Sequence, residues 1–185
     1  MADAVIVIDM LNPYDHQDAE PLKASVREMV PALADVVNGA RDAGALVVYV
    51  NDCYEDWSAS RGDIADRALA GAAPELVEPL VPAPDMPFVI KARHSIFYGT
   101  VLEYLLRQEG VERLILTGQV TEQCVLYSAL DAYVRRLQVA VARDCVAHID
   151  EDLAAAALRM MESNMRAHIM SGAEALAACV RSTRG

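Results

Sequence analysis

A thiol, a carboxylate and an amine occupy comparable places in this sequence. Cys124 lies in the stretch Leu116-Thr117-Gly118-Gln119-Val120-Thr121-Glu122-Gln123-Cys124-Val125, where an apolar strand runs through a glycine turn into a helix. A thiol in a first helical turn faces unpaired backbone N–H groups and the positive end of the helix dipole, which favour the nucleophilic thiolate. Asp9 follows the apolar run Ala4-Val5-Ile6-Val7-Ile8, and Lys91 follows Phe88-Val89-Ile90. In a parallel sheet, strand C-termini share the edge where ligands bind. If the three strands are neighbours, Asp9 can take the Cys124 proton while Lys91 orients the carboxylate and favours the thiolate. Each residue alone has a plainer explanation: a buried cysteine acts as a small hydrophobe, an aspartate after a strand caps a helix, and a lysine forms an ion pair. The combination at one sheet edge is what points to a site built around a cysteine nucleophile.

The elements that must position these groups alternate in type. Residues 4–8, 45–50, 88–90, 113–117 and 137–142 read as strands, mostly β-branched and apolar, as expected of strands buried on both faces. Between the first two, Val26, Met29, Val30, Leu33, Val37 and Ala40 recur at helical spacing. Ser25 and Glu28 suggest a capping box there, Pro31 a kink or restart, and Gly44 a stop. Residues 64–80 start as a helix and give way to a proline-rich connection through Pro87. Residues 99–108 and 121–135 read as helices, and Asp150 caps another that presents Leu153, Ala157, Met160 and Met161. After a short apolar piece at 167–170, Ser171 and Glu174 cap the last helix. This alternation predicts an α/β fold with a mainly parallel sheet and right-handed crossovers.

Length and composition bound the rest. The 185 residues, 54% hydrophobic, suit a single domain over 1–185 with a sizeable core. A net charge of −11 without a Lys/Arg cluster argues against nucleic acid as partner. Apolar runs are strand-sized and no basic leader precedes one, so a cytoplasmic protein with no membrane partner is expected. Cys53, Cys124, Cys145 and Cys179 show no C-x-x-C spacing and are expected to be free thiols. The helices spanning 153–161 and 173–180, rich in alanine and methionine, suggest a homodimer or higher homo-oligomer, although one-sided core packing explains them as well.

The words Asp9-Met10-Leu11-Asn12, then Lys91 with Ser95-Ile96-Phe97 and Gly99-Thr100, then Leu116-Thr117-Gly118 with Thr121 and Cys124-Val125 occur in that order. This pattern resembles the isochorismatase-like cysteine hydrolases over nearly the whole chain. Tyr49-Val50-Asn51-Asp52 after the second strand is similar to a word in small bacterial members. The resemblance implies a three-layer α/β/α fold with a six-stranded parallel sheet in the order 3-2-1-4-5-6. It further implies an Asp9, Lys91, Cys124 triad and a cis peptide between Gln119 and Val120 that turns the Val120 N–H toward a substrate carbonyl. The implied activity is hydrolysis of a C–N bond in a small molecule, an amide, carbamoyl group or lactam, through a thioester, with the N–H groups of Val120 and Cys124 as oxyanion hole.

Substrate contacts are expected from Tyr14, where family members often place an aromatic, and from Phe97 and Trp57, with His94 and Tyr127 nearby. Nicotinamidases of the superfamily bind a divalent ion through an aspartate and several histidines after the second strand. Here Asp52 matches the aspartate, but Tyr54 stands at the first histidine and no histidine falls between His16 and His94. No metal and no cofactor are therefore expected, and the acidic turn reads as a solvated one. The set Asp15, Asp52, Glu55 and Asp56 suits a cationic substrate, and relatives that open streptothricin-type lactams make a basic lactam one candidate. The alternatives are an isochorismate-type vinyl-ether hydrolase, which would not require the thiol, and a non-catalytic binding protein on the same fold.

Overall fold

The structure, a computed structural model, describes residues 2–183, so residues 1, 184 and 185 of the expected domain lie outside the described residues. The chain runs through β1 (Ala2–Ile8), α1 (Ala19–Asp42), β2 (Leu46–Asp52), α2 (Arg61–Leu69) and α3 (Pro74–Val77), with a 3-10 turn at Glu78–Leu80. It continues through β3 (Phe88–Lys91), α4 (Leu102–Gln108), β4 (Val111–Gln119), a π-helical turn (Thr121–Val125) and α5 (Leu126–Val134). β5 (Gln138–Ala147), α6 (Glu151–Met165), β6 (His168–Met170) and α7 (Gly172–Ser182) complete it. The strands form one parallel sheet in the order β3-β2-β1-β4-β5-β6, as the resemblance implied.

Strand alternation sorts the core into two layers. Val5 and Val7 of β1, Val47 and Tyr49 of β2 and Ile115 of β4 meet Leu22, Val26, Leu33 and Val37 of α1 on one face. Ala4, Ile6 and Ile8, with Val48, Val50, Leu114 and Leu116, meet Leu102 and Leu106 of α4, Ala129 of α5 and Met161 of α6 on the other. α7 turns Ala175 and Cys179 into the first layer, whereas α6 leaves Leu153 and Met160 exposed. No helix among the described residues is long and apolar enough to cross a membrane.

Several local expectations give way to tertiary packing. α1 starts at Ala19, a full turn before Ser25, and continues through Pro31 without a restart. Ser25 does not cap it; its hydroxyl accepts from the His148 N–H at 3.0 Å and contacts Nδ1 of the same residue at 3.1 Å. The stretch 64–80 is not one helix, because α2 stops at Leu69 and Pro74 starts a new turn. α4 begins only at Leu102, after Gly99 takes a left-handed φ of 66°. β5 runs past residue 142 to Ala147 through a register shift against β4 between Leu116 and Gly118, which absorbs the polar Arg143 and Asp144.

Candidate active site

The sheet order reverses at β1, whose neighbours are β2 and β4, and the crevice at the carboxyl ends of β1 and β4 is the topological switch point of the fold. Asp9 leaves β1 with φ 55°, a left-handed turn that aspartate tolerates better than most side chains, and its N–H donates to the Val50 carbonyl at 3.0 Å. Gly118 near the end of β4 has φ 101°, and a Cβ there would meet the backbone of Ile8. Only glycine lets β4 approach β1 this closely beside Asp9. The following peptide, Gln119-Val120, is cis. Cys124 then falls in a π-helical turn closed by Val125 N–H to the Val120 carbonyl at 3.1 Å, rather than in the ordinary first turn of an α-helix.

Asp9, Lys91 and Cys124 meet, although their strands are not all neighbours. β2 separates β3 from β1, a gap of about 10 Å for two strand spacings. The long Lys91 side chain bridges it, and its Nζ lies 2.8 Å from Asp9 Oδ2 and 3.7 Å from Cys124 Sγ, with the residue only 2% exposed. The Asp9 carboxylate on the same ammonium and the Val120 backbone both act electrostatically on the Cys124 thiol. The segment after Lys91 is pinned to α5, where the Ile96 N–H donates to Ser128 Oγ at 3.1 Å and Ser95 Oγ donates to Asp131 at 2.5 Å.

These contacts decide the proton inventory. Burial raises the Asp9 carboxyl above the ordinary carboxylate range, and the Lys91 charge and hydrogen bond only partly oppose it. Burial also works against a charged Lys91, but Asp9, Cys124 and Asp52 outweigh it and keep the ammonium protonated. The Cys124 thiol is pushed up to about 12, first by burial and then by the Asp9 charge, with Lys91 and the Val120 N–H opposing. The pull toward the thiolate expected from the helix turn and from Lys91 is outweighed. Desolvation exceeds what the short π-turn and the ammonium return, so the resting sulfur is a thiol beside an unusually basic carboxylate.

A cavity of about 450 Å³ opens onto this group. Trp57 lines it, largely exposed. Tyr14 and Phe97 do not: both are buried, Tyr14 behind the wall with its hydroxyl 3.4 Å from Gln119 Oε1, and Phe97 in the second core layer under the Arg135 guanidinium. Their apolar bulk is packing. His94 is the aromatic side chain nearest the chemistry by contact, with Nδ1 3.6 Å from Cys124 Sγ and its ring edge-on to Tyr127. Its place three residues after Lys91 on the same loop was the available signal.

The side chains of Asn51 and Gln119 brace the site, a role the sequence reading did not give them. Asn51, nearly fully buried, accepts from the Leu11 N–H at 2.9 Å and donates to the Leu11 carbonyl at 3.1 Å, tying the segment after Asp9 to β2. Gln119 Nε2 donates to the Asp9 carbonyl at 2.6 Å. Asp52 is not a solvated turn residue: its backbone N–H donates to Asp9 Oδ1 at 2.8 Å and its carboxylate reaches Lys91 at 3.5 Å. Its other oxygen accepts from the Tyr54 N–H at 2.8 Å, while the Tyr54 hydroxyl is buried with no hydrogen-bond partner among the described residues. With Asp52 committed and a tyrosine two residues on, this corner does not fit a divalent ion, and among the described residues no three His, Cys, Asp or Glu side chains are grouped to hold one.

Comparisons with known proteins identify the family. The sequence pattern of the isochorismatase domain matches residues 3–174, and the chain belongs to that family. It is similar to YaaI, an uncharacterized isochorismatase family protein of Bacillus subtilis, with 31% identity over 166 residues that span 90% of this chain and 92% of that one. It is also similar to maleamate amidohydrolase of Pseudomonas putida, with 28% identity over 151 residues covering 77% and 71% of the two chains. Among solved structures, N-carbamoylsarcosine amidase from Thermoplasma acidophilum superposes with a TM-score of 0.74 at 27% identity, covering 93% of this chain and 97% of that one.

Proposed function

We propose that this protein is a cysteine-dependent amidohydrolase that cleaves a C–N bond of a small carboxamide, carbamoyl compound or lactam through a thioester. The observation that carries the reading is that Lys91 Nζ contacts both Asp9 and Cys124 at the mouth of a cavity, next to the cis Gln119-Val120 peptide. Relatives named as amidohydrolases of maleamate and N-carbamoylsarcosine support the bond class.

Asp9 takes the thiol proton as Cys124 Sγ bonds to the carbonyl carbon, so that no free thiolate has to accumulate. The oxyanion is held by the N–H groups of Val120 and Cys124, each such donor lowering the barrier by about 3–4 kcal/mol. Lys91 holds the Asp9 carboxylate in line and balances the charge that passes between oxygen and sulfur. As the C–N bond breaks, the proton on Asp9 goes to the leaving nitrogen. Water then gives a proton to Asp9 and its oxygen to the thioester carbon; the C–S bond breaks and the sulfur recovers that proton. Asp18 and Glu55 in the cavity wall form no ion pair among the described residues, which supports a substrate with a cationic group, a basic lactam included.

The test is an ammonia- or amine-release screen over carboxamides, carbamoyl compounds and lactams, run with Cys124→Ala beside the wild type. Turnover that disappears in Cys124→Ala, with hydroxylamine diverting product to a hydroxamate, is the expected result. Turnover that survives in Cys124→Ala would refute the nucleophile, and a protein inert across the whole panel would refute the activity.

A further inference from the structure

A second cavity, of about 760 Å³, lies at the far edge of the sheet from the site described above, among the N-terminal ends of β4, β5 and β6 and the C-terminal ends of α5 and α6. Its wall carries Arg113, Arg136, Arg166 and His168 and no acidic residue, in a chain where 27 Asp and Glu outnumber 16 Lys and Arg. Leu137, Val139 and Met165 give it an apolar floor.

The backbone is unusual at the same place. Arg136 follows the end of α5 with φ 65°, and Arg166 ends α6 with φ 56°. Both are left-handed positions where glycine is the common choice, because a Cβ is disfavoured there. Two arginines hold such positions, and both line this one cavity. Service to the helix ends does not account for Arg136, since Arg135 already donates to the Asp131 carbonyl near the end of α5 at 2.9 Å. Among the described residues neither Arg136 nor Arg166 forms an ion pair or a side-chain hydrogen bond. The third arginine, Arg113, is fixed by Asp3 through bonds of 2.9 and 2.6 Å. The pocket therefore presents two uncommitted guanidinium groups, a stationary third and an imidazole above an apolar base.

We propose that this cavity binds a small organic anion, a carboxylate or a phosphomonoester carried on an apolar body, at a site separate from the hydrolytic one. Arg136 and Arg166 pair with the anionic head in the bidentate manner of guanidinium groups, and the floor takes the apolar body. The inference does not rest on the proposed activity.

Isothermal titration at low ionic strength tests it with phenyl phosphate and benzoate, which separate the two head groups, and with inorganic phosphate and benzyl alcohol as the head and the body alone. At least one aromatic anion is expected to bind tenfold or more tightly than either half, and to weaken as salt is added. The double variant Arg136→Gly/Arg166→Gly suits the left-handed backbone, so it is expected to keep or raise its melting temperature while losing that affinity tenfold or more. Arg136→Asn/Arg166→Asn, also at home in that backbone region, repeats the measurement in a second folded background. Absence of binding to the wild type, or affinity unchanged in a folded double variant, would overturn the proposal.

Discussion

Asp9→Asn separates the two jobs assigned to that carboxylate. With the Cys124 thiol pushed up to about 12, the unassisted thiolate is a very small fraction of the molecules at neutral pH. A base in contact with the sulfur removes the proton during attack and avoids that shortage. The asparagine amide keeps an acceptor for the Asp52 N–H but cannot take the proton, so the shortage is restored. Yet Asp9 is also one of the causes that hold the thiol high, so its removal lets the thiol pKa fall, each unit returning about a factor of ten in thiolate. The net expectation is a loss of about 10²- to 10⁴-fold in kcat/KM together with a thiol that ionises more readily. Steady-state kinetics on a substrate from the screen gives the first. Thiolate absorbance near 240 nm, taken as a difference from Cys124→Ser, gives the second. A loss under tenfold would remove Asp9 as the base, and a thiol pKa unchanged or raised would refute the electrostatic account. Lys91 retains only Asp52 in the variant, and since breaking a buried pair costs about 3–5 kcal/mol, the comparison is made well below the measured melting temperature.

Alkaline pH should destabilise the protein through its buried thiols. Burial holds Cys124 and Cys145 at about 12 and Cys179 at about 11, so above about pH 9 the unfolded chain releases protons that the native state keeps. The stabilisation is whole below pH 9 and is lost as pH rises through 11 to 12, at about 1.4 kcal/mol per unit for each thiol. Urea unfolding at pH 8, 9 and 10 reads it, and a flat profile would contradict it. Gly118→Ala combines a left-handed φ with a clash against the β1 backbone and should cost about 2–5 kcal/mol in chemical unfolding, an unaltered midpoint being the adverse result. Asn51→Ala strands the Leu11 N–H and carbonyl, with an expected loss of about 2–4 kcal/mol and reduced turnover; full activity at unchanged stability would show that the brace does not matter.

The strands were legible because a strand buried on both faces must be apolar and β-branched, and β1, β2 and β4 are. Helix ends were less so. Ser25 carries a capping signature, yet the helix begins earlier because Leu22 and Ala19 continue its buried stripe, and the serine hydroxyl is used by His148 instead. Tyr14 and Phe97 were misplaced for a related reason: an aromatic near a site looks the same in sequence whether its ring faces ligand or core. Asp52 and His94 drew less weight because their importance lies in distances to Lys91 and Cys124, across strands and loops remote in the chain.

From residue order alone came the parallel α/β class and the likeness of three motif words to one family, since both depend on local periodicity and residue identity. Tertiary structure decided which atoms touch: that Lys91 reaches across β2, that the sulfur rests as a thiol, and that two left-handed arginines face one cavity. Periodicity is a property of the neighbouring chain, whereas desolvation and charge act through space and take their values only once distant segments are packed together.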